Sequence, residues 1–258
     1  MNQPFTHIHS SAKIGDNVVI EPFSVIQKDV EIEDGTWIGN NVTIMEGARI
    51  GKNCKIYPGA VVSSVPQDLK FEGEKTTCEI GDNTVIRECA TINRGTKDRL
   101  KTVIGKNCLI MAYAHVAHDC VIGDHAILVN AVQLGGHVVI GKSAIIGGTS
   151  AVLQFVHIGD HVMVGGGSKV RKDIPPFVKV AREPLSYAGI NSIGLRRRGF
   201  SNEKIFEIQD IYRKIYLSGM NNTAALEDIE LNMPPSEERD LIINFIRKSE
   251  KGIIKGGK

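Results

Sequence analysis

Residues 12–59 read "AKIGDN VVIEPF SVIQKD VEIEDG TWIGNN VTIMEG ARIGKN CKIYPG", and the third letter of every six is isoleucine. These are Ile14, Ile20, Ile26, Ile32, Ile38, Ile44, Ile50 and Ile56. The series runs on to Val62, resumes at Ile80, Ile86 and Ile92, and resumes again from Ile104 to Val170. That makes runs of nine, three and twelve units, twenty-four in all and enough for eight coils. One aliphatic side chain per six residues is the period of a parallel β-helix: each unit is a short strand plus a turn, and stacked triangular coils bury a continuous core. The residue two before each inward aliphatic stands at a corner and is expected to be small, as at Ala48, Ala60, Ala90, Ala114, Ala126 and Ala144. Cys54, Cys78, Cys108 and Cys120 share that position, which makes them buried fillers and not nucleophiles.

The period breaks at 63–78 and 93–102, yet Val62 to Ile80 and Ile92 to Ile104 remain separated by multiples of six. Those segments read as loops that leave the prism and return in register, the kind of excursion that carries function. Beyond "KDIPPF" (172–177), where Pro175-Pro176 cannot continue a pairing strand, the pattern changes. Ser201 caps a helix with apolar residues at Ile205, Ile208, Ile211, Tyr212 and Ile215, ending at Gly219, and two more helical stretches follow near 222–231 and 235–249. The expected division is a β-helix domain over 1–180 and an α-helical C-terminal domain over 181–258.

Bulk composition narrows the class. Net charge is +2, so nothing global points to a nucleic-acid partner. No apolar run reaches the roughly 20 residues of a membrane span, and "MNQPFTHIHSSAKIG" has no hydrophobic signal core. Five cysteines without pairwise spacing fit the reducing cytoplasm.

Three units make an eighteen-residue coil, so in the uninterrupted stretch from Ile104 to Val170 residues eighteen apart share a vertical line. His118, Gly136 and Gln154 form one such line; Asp119, His137 and Phe155 form the next; His115 lies close by on the same edge. An imidazole, with a pKa of about 6.5, is a natural base for a hydroxyl, and a glycine amide with no side chain in the way suits an oxyanion. Those are two parts acyl transfer needs without a covalent nucleophile. Solvated histidines on a polar turn, or a zinc ion held by three histidines as in a hydratase, are the other readings of this edge.

The motifs "AHVAHDC", "GGHVVI", "AIIGGTSAVLQF", "HVMVGGG", "KDIPPF" and "GLRRRGFS", with "PQDLKF" in the first loop and "IRECATINRGT" before the second, resemble the UDP-N-acetylglucosamine O-acyltransferase family of lipid A biosynthesis along the whole chain. The resemblance implies a left-handed parallel β-helix of hexapeptide repeats with a helical tail, working as a cytoplasmic homotrimer without a cofactor or metal. It implies transfer of an (R)-3-hydroxyacyl group from acyl carrier protein to the 3-position of the UDP-sugar. By the same resemblance His118 is the general base, Asp119 orients it, and Gly136 gives the oxyanion-hole N–H. Asp68, Lys70, His115, His137 and Gln154 then contact sugar, diphosphate or acyl chain, while Asn191, Arg197 and Arg198 contact the nucleotide. Met163 and Gly166 lie where the family measures acyl length, and glycine at 166 implies room for a long chain.

Two positions depart from the family pattern: Leu153 stands where a histidine is common, and Ile193 where a glutamate is common. Neither touches the proposed base, so they bear on affinity or acceptor preference, a 3-amino sugar included. Lys169, Arg171, Lys172, Lys179 and Arg182, followed by Arg196 to Arg198, form a basic cluster suited to an acidic carrier protein. An acetyl-CoA-dependent acetyltransferase on the same scaffold is the nearest alternative.

Overall fold

The computed structural model describes residues 4–256, so the outermost residues of both expected domains lie outside the described residues. Short strands alternate with turns from His7–Ile8 to Lys169–Val170, and each pairs in parallel with the strand one coil away. They form three sheets, the faces of a triangular prism. On the first face the inward residues stack as Ile26, Ile44, Val62, Ile92, Val116, Leu134, Val152 and Val170. All are buried, Val152 the least at 3% exposure. Burying one such side chain contributes about 1.5–3 kcal/mol, and a slip by one residue would turn the whole column outward.

The prism is longer than the hexapeptide count at both ends. His7–Ile8 pairs with Val25–Ile26 below the first counted unit. At the other end Pro175-Pro176 does not stop the sheet: Val178–Ala181 resumes on the third face, with Val180 opposite Val164. The short corner lies one step earlier, between Val170 and Ile174, since Ile174 bridges Ile158. Nor is the corner residue restricted to small side chains. Val18, Val30, Val42, Val132, Val138, Val156 and Val162 fill it and are buried, because a β-branched side chain also fits there. At several corners a hydroxyl or thiol meets a glycine carbonyl of the next coil: Ser24 Oγ donates to Gly39 at 2.7 Å and Cys120 Sγ to Gly135 at 3.2 Å.

Turns are made by residues in the left-handed region, among them Asn17, Asn41, Asn53, Asn83 and Asn107, the residue type that tolerates positive φ best after glycine. On another corner the same position holds Asp119 (φ 59°), His137 (φ 62°) and Phe155 (φ 64°). The excursions are narrower than the broken period indicates, because strands Val61–Ser64, Thr77–Ile80, Thr91–Asn93 and Lys101–Ile104 extend into them. The loops proper span 65–76 and 94–100.

After an antiparallel strand Ser186–Ile190, four helices follow: α1 (Ser192–Arg197), α2 (Asn202–Leu217), α3 (Asn222–Asn232) and α4 (Glu237–Lys248). Ser201 caps α2 by accepting from the Lys204 amide, and Ile205, Ile208, Ile211 and Tyr212 face inward. The six-residue α1 has no apolar period and escaped the sequence reading. Among the described residues no helix is long and apolar enough to cross a membrane.

Candidate active site

The second loop folds onto the corner that carries Asp119. Its carboxylate is fully buried and takes four donors: Oδ1 from the amides of Thr96 (3.0 Å) and Arg99 (3.3 Å), Oδ2 from Thr96 Oγ1 (2.6 Å) and His118 Nδ1 (2.8 Å). Arg99 Nη1 holds the Asp119 carbonyl at 3.1 Å, and the Asp119 amide donates to Thr102 Oγ1 at 2.9 Å. Burial alone would raise the carboxyl pKa, but the bonds from Thr96 and His118 outweigh it and hold the pKa below the usual value. An ionised carboxylate only accepts, so Nδ1 of His118 carries the proton and Nε2 presents a lone pair.

Gly136 lies directly over that ring. A Cβ added there would stand 2.6 Å from Cε1 and 2.7 Å from Nε2 of His118. Only glycine permits this approach, and among the described residues no acceptor meets the Gly136 amide. The ladder bonds His137 N–His118 O (3.0 Å) and Phe155 N–Gly136 O (3.1 Å) put His118, Gly136 and Gln154 on successive coils of one line.

His137 packs edge-on to His118 (5.1 Å, 90°) and flat on Phe155 (4.4 Å, 9°). Its Nδ1 comes within 3.2 Å of Asp98 Oδ2, yet the alignment is too poor for a hydrogen bond and that buried atom is left unsatisfied. Burial lowers its pKa, with Asp119 opposing. His115 reaches Thr91 Oγ1 at 2.8 Å, and burial first, then His118, lowers its pKa too. Both rings favour the neutral form. A cleft of about 400 Å³ opens beside them, lined by Asp68, Lys70, Glu74, Thr96, Lys97, Asp98, His137 and Phe155. The first loop thus brings Asp68 and Lys70 to the histidine edge.

His118, Asp119 and His137 also offer ligand atoms within 4.8 Å of one another. The set fits a metal poorly: both Asp119 oxygens are committed to N–H and O–H donors, and Nδ1 of His118 is turned into that carboxylate. The buried thiols offer no nucleophile either. Burial pushes Cys54 up to about 11 and Cys78 and Cys120 to about 12.

Comparison with known proteins places the chain in a family. The family described as bacterial transferase hexapeptide (six repeats) matches residues 29–64 and 101–136, and UDP N-acetylglucosamine O-acyltransferase, domain 2, matches 173–254. An acyl-[acyl-carrier-protein]–UDP-N-acetylglucosamine O-acyltransferase of Thiobacillus denitrificans is 41% identical over 253 residues, 98% of each chain. One from Pseudomonas putida is 42% identical over the same span, again 98% of each chain. The chain belongs to the UDP-N-acetylglucosamine O-acyltransferase family. A crystal structure of such an enzyme from Bacteroides fragilis superposes with a TM-score of 0.97 at 49% identity, covering 99% of this chain and 100% of that one. That from Acinetobacter baumannii gives 0.95 at 39% identity, covering 98% and 99%. The fold is therefore the left-handed parallel β-helix with a small helical tail.

The remaining residues that the acyltransferase resemblance singled out stand elsewhere in this chain. Asn191 caps α1 by accepting from the Gly194 amide, and its Nδ2 donates to the His161 carbonyl at 2.9 Å. Arg198 Nη2 donates to the Ser143 carbonyl at 2.9 Å, and burial lowers its pKa; Arg197 is exposed. Ser143 and His161 belong to the corner after the one that holds Asp119 and His137. Met163 pairs with Ile145 on the third face, and a Cβ on Gly166 would come no nearer than 3.3 Å to Gly148 O. Leu153 and Ile193 are exposed. His161, on that next corner, stacks on Phe177 at 5.6 Å, edges Phe200 at 5.2 Å, and has its pKa lowered by burial. Thr96, Arg99 and Thr102 were missed. Thr102 sits two before inward Ile104, at a corner position, and that register was the available signal.

Proposed function

We propose that this chain transfers an (R)-3-hydroxyacyl group from an acyl carrier protein thioester to the 3-hydroxyl of UDP-N-acetylglucosamine, the opening step of lipid A biosynthesis. The observation that carries this reading is the Asp119–His118 hydrogen bond with the side-chain-free Gly136 packed against the same imidazole. With Nδ1 bonded to Asp119, Nε2 of His118 removes the proton from the acceptor hydroxyl. The hydroxyl oxygen attacks the thioester carbon, and the oxyanion so formed accepts from the Gly136 amide. Collapse breaks the carbon–sulfur bond, and the departing sulfur takes the proton back from Nε2. Ester and free carrier thiol result, with no redox change and no covalent enzyme intermediate. Asp119 acts by holding one tautomer and stabilising the imidazolium.

Asp68, Lys70, His115, His137 and Gln154 are assigned to the acceptor sugar, its diphosphate and the acyl chain around the cleft. Asn191, Arg197 and Arg198 are assigned to the nucleotide, and Met163 with Gly166 to the far end of the acyl chain. Asn191, Arg197 and Arg198 belong to the start of the helical tail, held against the Ser143–His161 corner, and Met163 lies on the third face, so the reading takes a cytoplasmic homotrimer in which a neighbouring copy lends them to the His118 edge. The division of labour follows the chain: the prism does the chemistry and the helical tail meets the nucleotide. The basic cluster near the prism end docks the carrier protein. No cofactor enters any step. His118→Ala should lower turnover about 10²–10⁴-fold in an assay with purified acyl carrier protein thioester and both hydroxyl and 3-amino UDP-sugars. Wild-type-like turnover of that variant would sink the assignment.

A further inference from the structure

After α4 the chain turns back and lies against the upper end of the prism. Asp173, 2% exposed, holds it there. Asp173 Oδ2 accepts from Ser249 Oγ at 2.6 Å, its amide donates to the Gly252 carbonyl at 3.1 Å, and its carbonyl accepts from the Ile254 amide at 2.9 Å. The other carboxylate oxygen accepts from the His157 amide at 2.8 Å, tying the tail to the prism. Ile253 and Ile254 are buried beyond. The backbone on both sides of Lys251 is therefore fixed.

From that anchored position the Lys251 ammonium reaches 5.8 Å from the centroid of Phe155. Phe155 is the ring on which His137 lies flat, and His137 in turn edges His118. Among the described residues Lys251 makes no ion pair. Its contact with Phe155 is a cation–π pair, which leaves the donors of the ammonium unsatisfied by any carboxylate. The residue is half-buried, so an anion would find part of the desolvation already met. A second cation stands close by: Lys172 Nζ lies 3.8 Å from where a Cβ on Gly252 would stand. A groove of about 610 Å³ along the same tail is lined by Lys169, Arg171, Lys172, Arg182 and Lys255, with Glu183 the one acid among its lining residues.

We propose that Lys251, delivered by the C-terminal tail, binds a phosphate oxygen of substrate beside the His118 edge. The proposal rests on the acyl-transfer reading, which supplies two phosphate sources: the diphosphate of the acceptor and the phosphodiester of the donor's prosthetic arm. Lys251 is a binding residue and takes no proton.

The test compares Lys251→Met, which keeps the aliphatic stem over Phe155, with Lys251→Arg, which keeps the charge. Steady-state kinetics vary acceptor and donor separately, and thermal melts check that both variants fold. Loss of one charge-assisted bond predicts that Lys251→Met raises the KM of one substrate about 10- to 100-fold. Its kcat should fall far less, and Lys251→Arg should restore much of the affinity. Whichever substrate carries the KM effect identifies the phosphate. Unchanged KM values for both substrates in Lys251→Met, or a loss confined to kcat, overturns the proposal, the latter because it marks a residue acting through Phe155 alone. Failure of the wild-type protein to transfer acyl groups would instead strike the parent reading, and calorimetric titration of UDP-N-acetylglucosamine into wild type and Lys251→Met keeps the acceptor arm decidable.

Discussion

Consider Gly136→Ala. Gly136 does not have positive φ, so alanine meets no backbone penalty there; the whole effect comes from one methyl group. That methyl would stand 2.6 Å from Cε1 and 2.7 Å from Nε2 of His118, about 1 Å inside the 3.5–4.0 Å at which carbon atoms pack best. The imidazole must give way, and it is tethered by its 2.8 Å bond to an Asp119 carboxylate that three further donors hold in place. Moving the ring by about 1 Å breaks that bond or turns Nε2 from the acceptor hydroxyl, and a misplacement of this size costs on the order of 10²-fold in rate. Loss of access to the 136 amide is worth a further factor of roughly 10²–10³ when an oxyanion donor is removed. The two share one geometry and do not simply multiply, so the expectation is a fall of about 10²–10⁴ in kcat. Stability should change little, because the clash is with a side chain at the cleft. Gly135→Ala is the contrast: its Cβ would meet the backbone nitrogen of Gln154 at 2.8 Å, which should lower the melting temperature. The assay is steady-state acyl transfer with parallel melts. Gly136→Ala with wild-type kcat would refute the idea that base and oxyanion donor share this corner.

Acid should weaken the fold in two stages. Burial lowers the pKa of His115, His137 and His161, so the unfolded chain binds more protons; stability is full above the ordinary histidine pKa and falls as pH drops below about 6.5 toward the folded values. Asp119, whose folded pKa is depressed, adds a second loss as pH falls below the ordinary carboxyl value of about 3.9. Urea midpoints that stay flat from pH 8 to 5 would contradict the first stage, and Asp119→Asn should remove part of the second. Gly166→Met should shift the donor preference toward shorter acyl chains, by about 10-fold or more for each mismatched methylene pair. A donor-length series with unchanged ranking would remove Gly166 from the acyl path. Ile193→Glu should tighten UDP-sugar binding with little change in kcat, readable by calorimetry, if Ile193 is what weakens recognition of the base.

The scaffold was open to sequence reading because its core position recurs every six residues and tolerates little besides isoleucine, valine and leucine. A column such as Val116, Leu134, Val152 and Val170 announces itself in the letters. The placement of the proposed catalytic pair inherits that clarity, since His118 and Gly136 lie a whole coil apart and share a line by arithmetic. What the letters do not carry is whatever depends on a segment leaving the lattice. Loop 94–100 supplies Thr96 and Arg99 to Asp119, but a loop has no period, so its contacts follow only from where it re-enters. The tail shows the same limit more sharply. Lys251 lies ninety-six residues from Phe155 in the chain, and only the buried clasp of Asp173, Ser249 and Ile254 brings the two together. Periodic packing thus specifies where the proposed base His118 sits, together with Asp119 and His137, whereas Thr96, Arg99 and Lys251 reach the same edge from aperiodic chain pinned at a few buried polar atoms. Disrupting such a pin, as in Asp173→Ala, should therefore loosen the tail and weaken substrate binding while leaving the hexapeptide core folded, an outcome that hydrogen exchange localised to 249–256 would register.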